Sequence, residues 1–266
     1  YKERFEKTTS IMVYPRRPIF EPQINRLIGL SEAPSGRTIR IAIMVFSGYN
    51  QEDSIIMNRS SVDLGLFRYI KYSTIVSVLE KPDQNFELPE INERNAHLLK
   101  NLDENGIPII GSYVREGDYI VGKVEKISKG VKKNISDKVP FGKKGVVDAV
   151  NFSTDNKGNK VIKVRLRDFR QPEKGDKFYF RYSQKGTIGS IINNEDLPYT
   201  KDGLTADVYF NPHGIPTRMT IAMLMEVIAT TGAAMTARRV DASAFKGFET
   251  TKYEDMLKNY GFSPNG

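Results

Sequence analysis

Val161-Ile162-Lys163-Val164-Arg165-Leu166-Arg167 alternates apolar and basic side chains with a period of two. That period marks a strand with one face in a core and the other turned outward, so the stretch reads as a half-buried strand with a cationic outer face. Asp155-Asn156-Lys157-Gly158-Asn159 precedes it as a turn. The strand lies in the most basic part of the chain: between Lys123 and Arg170, 14 Lys or Arg stand against 5 Asp or Glu, while the whole chain carries +8. A cationic face of this kind suits an anionic partner, nucleic acid above all. A simply solvated sheet face uses the same residues.

The 266 residues suffice for two compact bodies and need no covalent staple. Cysteine is absent, which removes thiolate zinc sites, iron–sulfur clusters, thiol nucleophiles and disulfides together. His97 and His213 are too few to build a zinc site from histidine. The apolar run from Ile41 to Phe46 is far short of the ~20 residues a membrane helix needs, so no membrane is expected. Tyr1 is not an initiator and the residues after it form no signal peptide, so the chain reads as a piece of a longer polypeptide.

Strand and turn signals dominate, and a mixed, strand-rich fold is expected. Ile39 to Phe46 reads as a buried strand followed by a turn at Gly48-Tyr49-Asn50, and residues 76–105 as polar and irregular. Pro216 and Thr217 are expected to start an amphipathic helix whose Ile221, Leu224, Met225 and Ile228 share the buried face.

Four stretches could carry chemistry. In Gly48-Tyr49-Asn50-Gln51-Glu52-Asp53-Ser54 two adjacent carboxylates could coordinate a hard cation such as Mg²⁺, directly or through water. Both could serve one ion only if the backbone turns there, and the alternative is that Asp53 caps a following helix. In Gly175-Asp176-Lys177-Phe178-Tyr179-Phe180-Arg181-Tyr182-Ser183-Gln184-Lys185-Gly186, lysines and an arginine suited to phosphate interleave with aromatics. A solvated hairpin with its aromatics in the core is the alternative. In Asn211 to Thr220, Arg218 is expected in the first turn of the helix, where free N–H groups favour an anion; His213 reads as a hydrogen-bonded structural residue. Gly117-Asp118-Tyr119-Ile120-Val121-Gly122-Lys123-Val124 imitates the start of a P-loop, but Val124 replaces the Mg²⁺-binding hydroxyl and no helix is expected after it.

At these residues the chain resembles the second-largest subunit of multisubunit DNA-dependent RNA polymerases, the counterpart of the bacterial β subunit. Gly48 to Asn58, Gly175-Asp176-Lys177-Phe178 with Gln184-Lys185-Gly186-Thr187-Ile188-Gly189, and Asn211-Pro212-His213 through Arg218-Met219-Thr220 are similar to three family signatures, in family order. Val13-Tyr14-Pro15 and Gly106 through Val124 extend the match, which is weak at 70–105 and 125–160. The form with Gln51 resembles eukaryotic, archaeal and large-DNA-virus subunits. Tyr179 and Phe180 stand where the family usually has small residues, and Tyr182-Ser183 where it has His-Gly, which suggests a divergent enzyme of the kind a virus carries.

The resemblance implies a hybrid-binding region around a double-psi β-barrel, from residues 1–68 and 172–266, interrupted by an inserted wall (flap) domain at 69–171. It implies a DNA-directed RNA polymerase, with DNA template, RNA transcript, nucleoside triphosphates, the largest subunit and smaller subunits as partners, working in nucleus or cytoplasm, or in cytoplasm and virion if viral. In the family an aspartate triad of the largest subunit holds the catalytic Mg²⁺, so this fragment would be inactive alone; without cysteine and with two histidines it is expected to carry no zinc. Glu52 and Asp53 would lie near the second Mg²⁺. Lys177 and Lys185 would approach the RNA 3′ end or the nucleotide, and Arg181, Gln184 and Arg218 its phosphates. A stand-alone module for single strands or hybrids, without catalysis, is the competing reading.

Overall fold

The computed structural model describes residues 3–90, 93–127 and 131–265, and Lys129 of the basic window lies outside them. The chain is mixed α/β and strand-rich, and it divides into two units. One comprises Tyr1–Ile11 with Tyr69–Arg170, the other Met12–Arg68 with Gln171–Gly266.

The first unit is built on a five-stranded sheet in the order Thr8–Met12, Tyr69–Val78, Lys160–Arg170, Gly145–Thr154, Tyr113–Val114. The alternation of Lys160–Arg170 behaves as the sequence predicts: Ile162, Val164 and Leu166 are buried in the core with Ile75, Ile120 and Val147. The opposite face is not simply solvated. Arg165 is only 9% exposed, sandwiched by the rings of Phe5 and Tyr72 with centroids at 5.1 and 5.4 Å. Its Nε donates to Asp148 at 2.8 Å, and Arg167 lies 3.8 Å from the same carboxylate. A bulge in Gly145–Thr154 between Val147 and Ala149 presents Asp148 to that face.

Residues 76–105 are more regular than expected, because Tyr69–Val78 is a ten-residue strand and Gln84–Phe86 pairs with Lys123–Lys126. The P-loop-like stretch is two strands, Tyr119–Val121 and Lys123–Lys126. Gly122 there serves close packing: an added Cβ would come within 2.7 Å of the Glu87 carbonyl oxygen and 2.8 Å of Gly106 Cα. Lys123 faces Asp137 at 3.8 Å.

The second unit carries a mixed five-stranded sheet in the order Lys177–Phe180, Gln184–Ile192, Ser54–Asn58, Val208–Phe210, Ile41–Ile43. Ile55, Met57, Ile188 and Phe210 form its core. The expected buried strand at Ile39 to Phe46 is cut to Ile41–Ile43 and is half-buried, since it is last in the sheet and has a neighbour on one side only.

The helix differs from the expectation in both place and face. A one-turn helix, Gly214–Thr217, ends at Arg218, and Met219 at φ +55° breaks the chain before Ile221–Met235 begins. Arg218 therefore closes a short helix instead of opening a long one. Ile221 is 64% exposed, and the buried stripe is Met223, Ala229, Gly232 and Ala233. Ala229, Gly232 and Ala233 are small and let Thr250–Asn259 pack closely, with Tyr253 against Gly232 and beside Phe248.

Candidate active site

Three loops of the second unit build the site, and two of them line one open cleft of about 590 Å³: Val45, Gln51, Glu52 and Asp53 from the first, and Asn211, His213, Gly214, Thr217 and Arg218 from the third. The first loop is residues 44–54. Asn50 is fully buried; its side-chain amide donates to the Met44 carbonyl at 2.8 Å, and its carbonyl oxygen accepts from Phe46 N–H at 3.1 Å. That closes the loop. Glu52 adopts φ +51°, and the turn it makes leaves both carboxylates on the cleft wall. Asp53 caps no helix, because Ser54–Asn58 is a strand.

The second loop belongs to the antiparallel hairpin of Lys177–Phe180 and Gln184–Ile192. Its glycines explain how the first two motifs dock. A Cβ on Gly186 would lie 2.8 Å from the Asp53 carbonyl oxygen, and one on Gly189 would overlap the Tyr49 carbonyl. With hydrogen in both places the strand closes up, and Thr187 N–H donates to the Asp53 carbonyl at 2.8 Å. The register pairs Lys177 with Thr187 and Tyr179 with Lys185, so both lysines and Tyr179 share one face. Phe178 and Phe180 turn to the core from the other. Lys177 and Lys185 are exposed and, among the described residues, form no ion pair with a carboxylate. They do not line the cleft.

Arg218 comes from the third loop. One Nη donates to Asp53 and the other to Gln184 Oε1 at 2.7 Å. Gln184 is 1% exposed, and its amide nitrogen donates to the Gly214 carbonyl at 3.0 Å and to Thr220 Oγ1 at 2.7 Å. It stands behind Arg218, not in the cleft wall, and a direct phosphate contact does not follow from this placement.

Arg181 is also elsewhere. Its guanidinium donates to Glu226 and to the Phe20 carbonyl, a helix and a strand away from the cleft lining. Tyr182 packs against the core and bonds the same Glu226. Burial, and then the neighbouring Glu226 carboxylate, push the Tyr182 hydroxyl well above the ordinary tyrosine range. Tyr182 and Ser183 both adopt positive φ, 72° and 59°, so this tight turn is held by the Glu226 contacts.

The sequence reading gave His213, Thr217 and Asn211 no part in a cleft. His213 and Thr217 line the cleft, and the Thr217 hydroxyl donates to the His213 carbonyl at 2.8 Å. Asn211, 4% exposed, fixes the loop by accepting from His213 N–H at 2.9 Å. Among the described residues no three His, Asp or Glu side chains gather as a metal site.

The family model of RNA polymerase Rpb2, domain 6, matches residues 1–266. The chain belongs to this family. It is 36% identical, over its full length, to DNA-directed RNA polymerase subunit Rpo2 of Saccharolobus solfataricus, covering 25% of that protein. It is 36% identical over 99% of its length to DNA-directed RNA polymerase II subunit RPB2 of Encephalitozoon cuniculi, covering 24%. Against subunit 2 of the Arabidopsis thaliana polymerase II it is 33% identical over its full length and again covers 24%. The chain thus spans about a quarter of the length of the curated relatives it matches. Within this Rpb2 domain 6 chain the three motifs bear on one another, two through the Gly186 and Gly189 approach and the third through Arg218.

Proposed function

We propose that this chain is part of the active centre of a DNA-directed RNA polymerase, where it binds the RNA–DNA hybrid and the phosphates of the incoming nucleoside triphosphate during template-directed nucleotidyl transfer. The observation that carries the reading is Arg218, aimed at the cleft between Asp53 and the buried Gln184. A forked guanidinium pre-oriented by a buried amide is a fixed donor for phosphate oxygens. When a triphosphate takes that donor, Asp53 is released to act with Glu52.

Two carboxylates fit Mg²⁺ that arrives with the nucleotide phosphates and keeps some of its waters; they do not make a resident cage. Such an ion neutralises charge on the transferring phosphates. We assign the principal Mg²⁺ ligands to the largest subunit, so the fragment alone is inactive; with no cysteine and two histidines it has no ligand set for zinc. Lys177 and Lys185 face the RNA 3′ end or the nucleotide, with Tyr179 between them. Gln184 positions Arg218. Arg181 positions the turn before Lys185 through Glu226 and does not touch phosphate.

Residues 69–171 form the wall (flap), whose sheet takes Thr8–Met12 as an edge strand; the remainder of 1–68, with 172–266, forms the hybrid-binding part around a double-psi β-barrel. The partners are DNA template, RNA transcript, the largest subunit and smaller subunits, in nucleus or cytoplasm, or in a virion if the source is viral. No helix among the described residues is long and apolar enough to cross a membrane.

The test is Arg218→Gln in the assembled polymerase, with single-nucleotide extension of a preformed elongation complex. Loss of one such donor costs roughly 10²–10³ in rate. A rate within threefold of the parent at all nucleotide concentrations would remove Arg218, and the reading with it.

A further inference from the structure

Outside this cleft, the second unit has another depression of about 350 Å³, lined by Val13, Tyr14, Pro15, Arg16, Arg37 and Leu64. Its wall is preset by backbone hydrogen bonds at both ends: Val13 N–H donates to the Arg68 carbonyl and Arg16 N–H to the Gly36 carbonyl, each at 2.9 Å. The Tyr14 ring is seated on Gly65, where a Cβ would come within 2.8 Å of a ring carbon and where φ is +97°. Pro15 stiffens the wall further, since its φ is fixed.

The charge in this depression is of one sign. No carboxylate lines it, and among the described residues neither Arg16 nor Arg37 pairs with one. In the same unit Arg17, Arg40, Arg181 and Arg218 each do. Arg37 is half-buried, and a guanidinium partly withdrawn from water without a counter-charge is costly unless a ligand supplies it. Beside the two arginines stand apolar groups that remain open: Tyr14 is 51% and Leu64 85% exposed.

We propose that this depression binds one phosphodiester of a single nucleic-acid strand between Arg16 and Arg37, with the adjoining base on the Tyr14 ring. Two guanidinium forks match the oxygens of a phosphate, and a ring beside them is a stacking surface that accepts any base. An acidic peptide would satisfy the arginines and leave Tyr14 and Leu64 uncovered. A free phosphate would do the same. The site is built from residues other than Glu52, Asp53 and Arg218 and does not rest on their role.

The experiment uses the assembled polymerase and a ten-nucleotide single strand carrying one 5-iodouracil, which is irradiated and the cross-linked residue identified by mass spectrometry. Cross-linking is expected at Tyr14, and at least tenfold less in the R16Q/R37Q double variant at unchanged melting temperature. Unlabelled oligonucleotide should compete, whereas inorganic triphosphate at equal phosphate concentration and a ten-residue polyglutamate should not. Loss of one phosphate contact should also lower the slope of log affinity against log salt by about 0.7. No cross-link at Tyr14, or one indifferent to both arginines, overturns the proposal, and so does equal competition by triphosphate or polyglutamate. If the double variant melts lower, cross-linking and competition in the parent enzyme decide alone. Because neither readout requires nucleotide addition, a failure here is distinguishable from a failure of the Arg218 assignment.

Discussion

The Lys160–Arg170 face of the first unit and the hairpin face of the second are both basic and aromatic, yet they spend their charge differently. On the first, Asp148 serves Arg165 and Arg167 together, and Phe5 and Tyr72 cover the Arg165 guanidinium; Arg170, on the other face of the strand, pairs with Asp168. On the second, Lys177 and Lys185 flank Tyr179 with no ion-paired carboxylate among the described residues. The window with the largest excess of positive charge is thus the one whose arginines are already engaged. Net charge along a sequence reports solubility and long-range attraction; which cation can take a phosphate without first releasing a carboxylate depends on which has no partner at home.

The largest effect that would sharpen this contrast is on stability. Asp148→Ala leaves Arg165 buried without its carboxylate, and breaking one side of a buried pair costs about 3–5 kcal/mol. Because Asp148 keeps some exposure, the lower end is expected, read as a shift in the urea midpoint at unchanged slope. A loss under about 0.5 kcal/mol would mean that the arginines on this face are free after all. On the hairpin the effect should be on rate. Lys185→Ala in the assembled polymerase should slow nucleotide addition by roughly 10²–10³, about 2.7–4 kcal/mol, with melting unchanged. Lys163→Ala, from the basic window, should stay within threefold of the parent. If both lysines behaved alike, the comparison would fail.

A third effect comes from geometry alone. Gly186→Ala would press a methyl group on the Asp53 carbonyl and the Ile55 side chain, and overpacking of this kind costs about 1–3 kcal/mol. The displaced Asp53 should weaken nucleotide addition as well, so activity and stability should fall together, unlike in Lys185→Ala. An alanine variant with parental melting and rate would show that the strands need no such approach.

What the sequence made legible follows from which signals are local. The period of two at Val161 to Arg167 located the core face of that strand because burial of Ile162, Val164 and Leu166 is a sheet property carried by each residue in turn. The same pattern did not reveal Asp148, which reaches the outer face through a bulge in another strand. The helix was misread for a physical reason: large apolar residues at Ile221 and Leu224 gave the expected stripe, but close packing of two helices selects small ones, Ala229, Gly232 and Ala233. Nothing local announced the break at Met219. Within the cleft, the chemistry of the motifs brought Glu52, Asp53 and Arg218 to attention, whereas the burial of Asn50 and Gln184 depends in part on the backbone carbonyls of remote residues, Tyr209 and Gly214.

The smallest expected effect concerns Tyr182, in the turn of the hairpin. Tyr182→Phe keeps the ring in the core and deletes only the hydroxyl bonded to Glu226, which still holds Arg181. One hydrogen bond with a charged partner retained elsewhere should cost about 1 kcal/mol at pH 7. Its dependence on pH has a definite sign. Burial and Glu226 raise the hydroxyl in the folded chain above the ordinary value of 10, so its contribution is present in full below pH 10 and is lost as pH rises beyond it. The gap between the parent and Tyr182→Phe should therefore be constant from pH 7 to 9 and narrow by pH 11. Tyr209 and Tyr253, also raised by burial, are common to both proteins and drop out of the difference. Urea unfolding of the two chains side by side at these pH values reads it directly. A gap that stays constant through pH 11 would place the hydroxyl in water, and Arg181 alone would then hold the turn that carries Lys185.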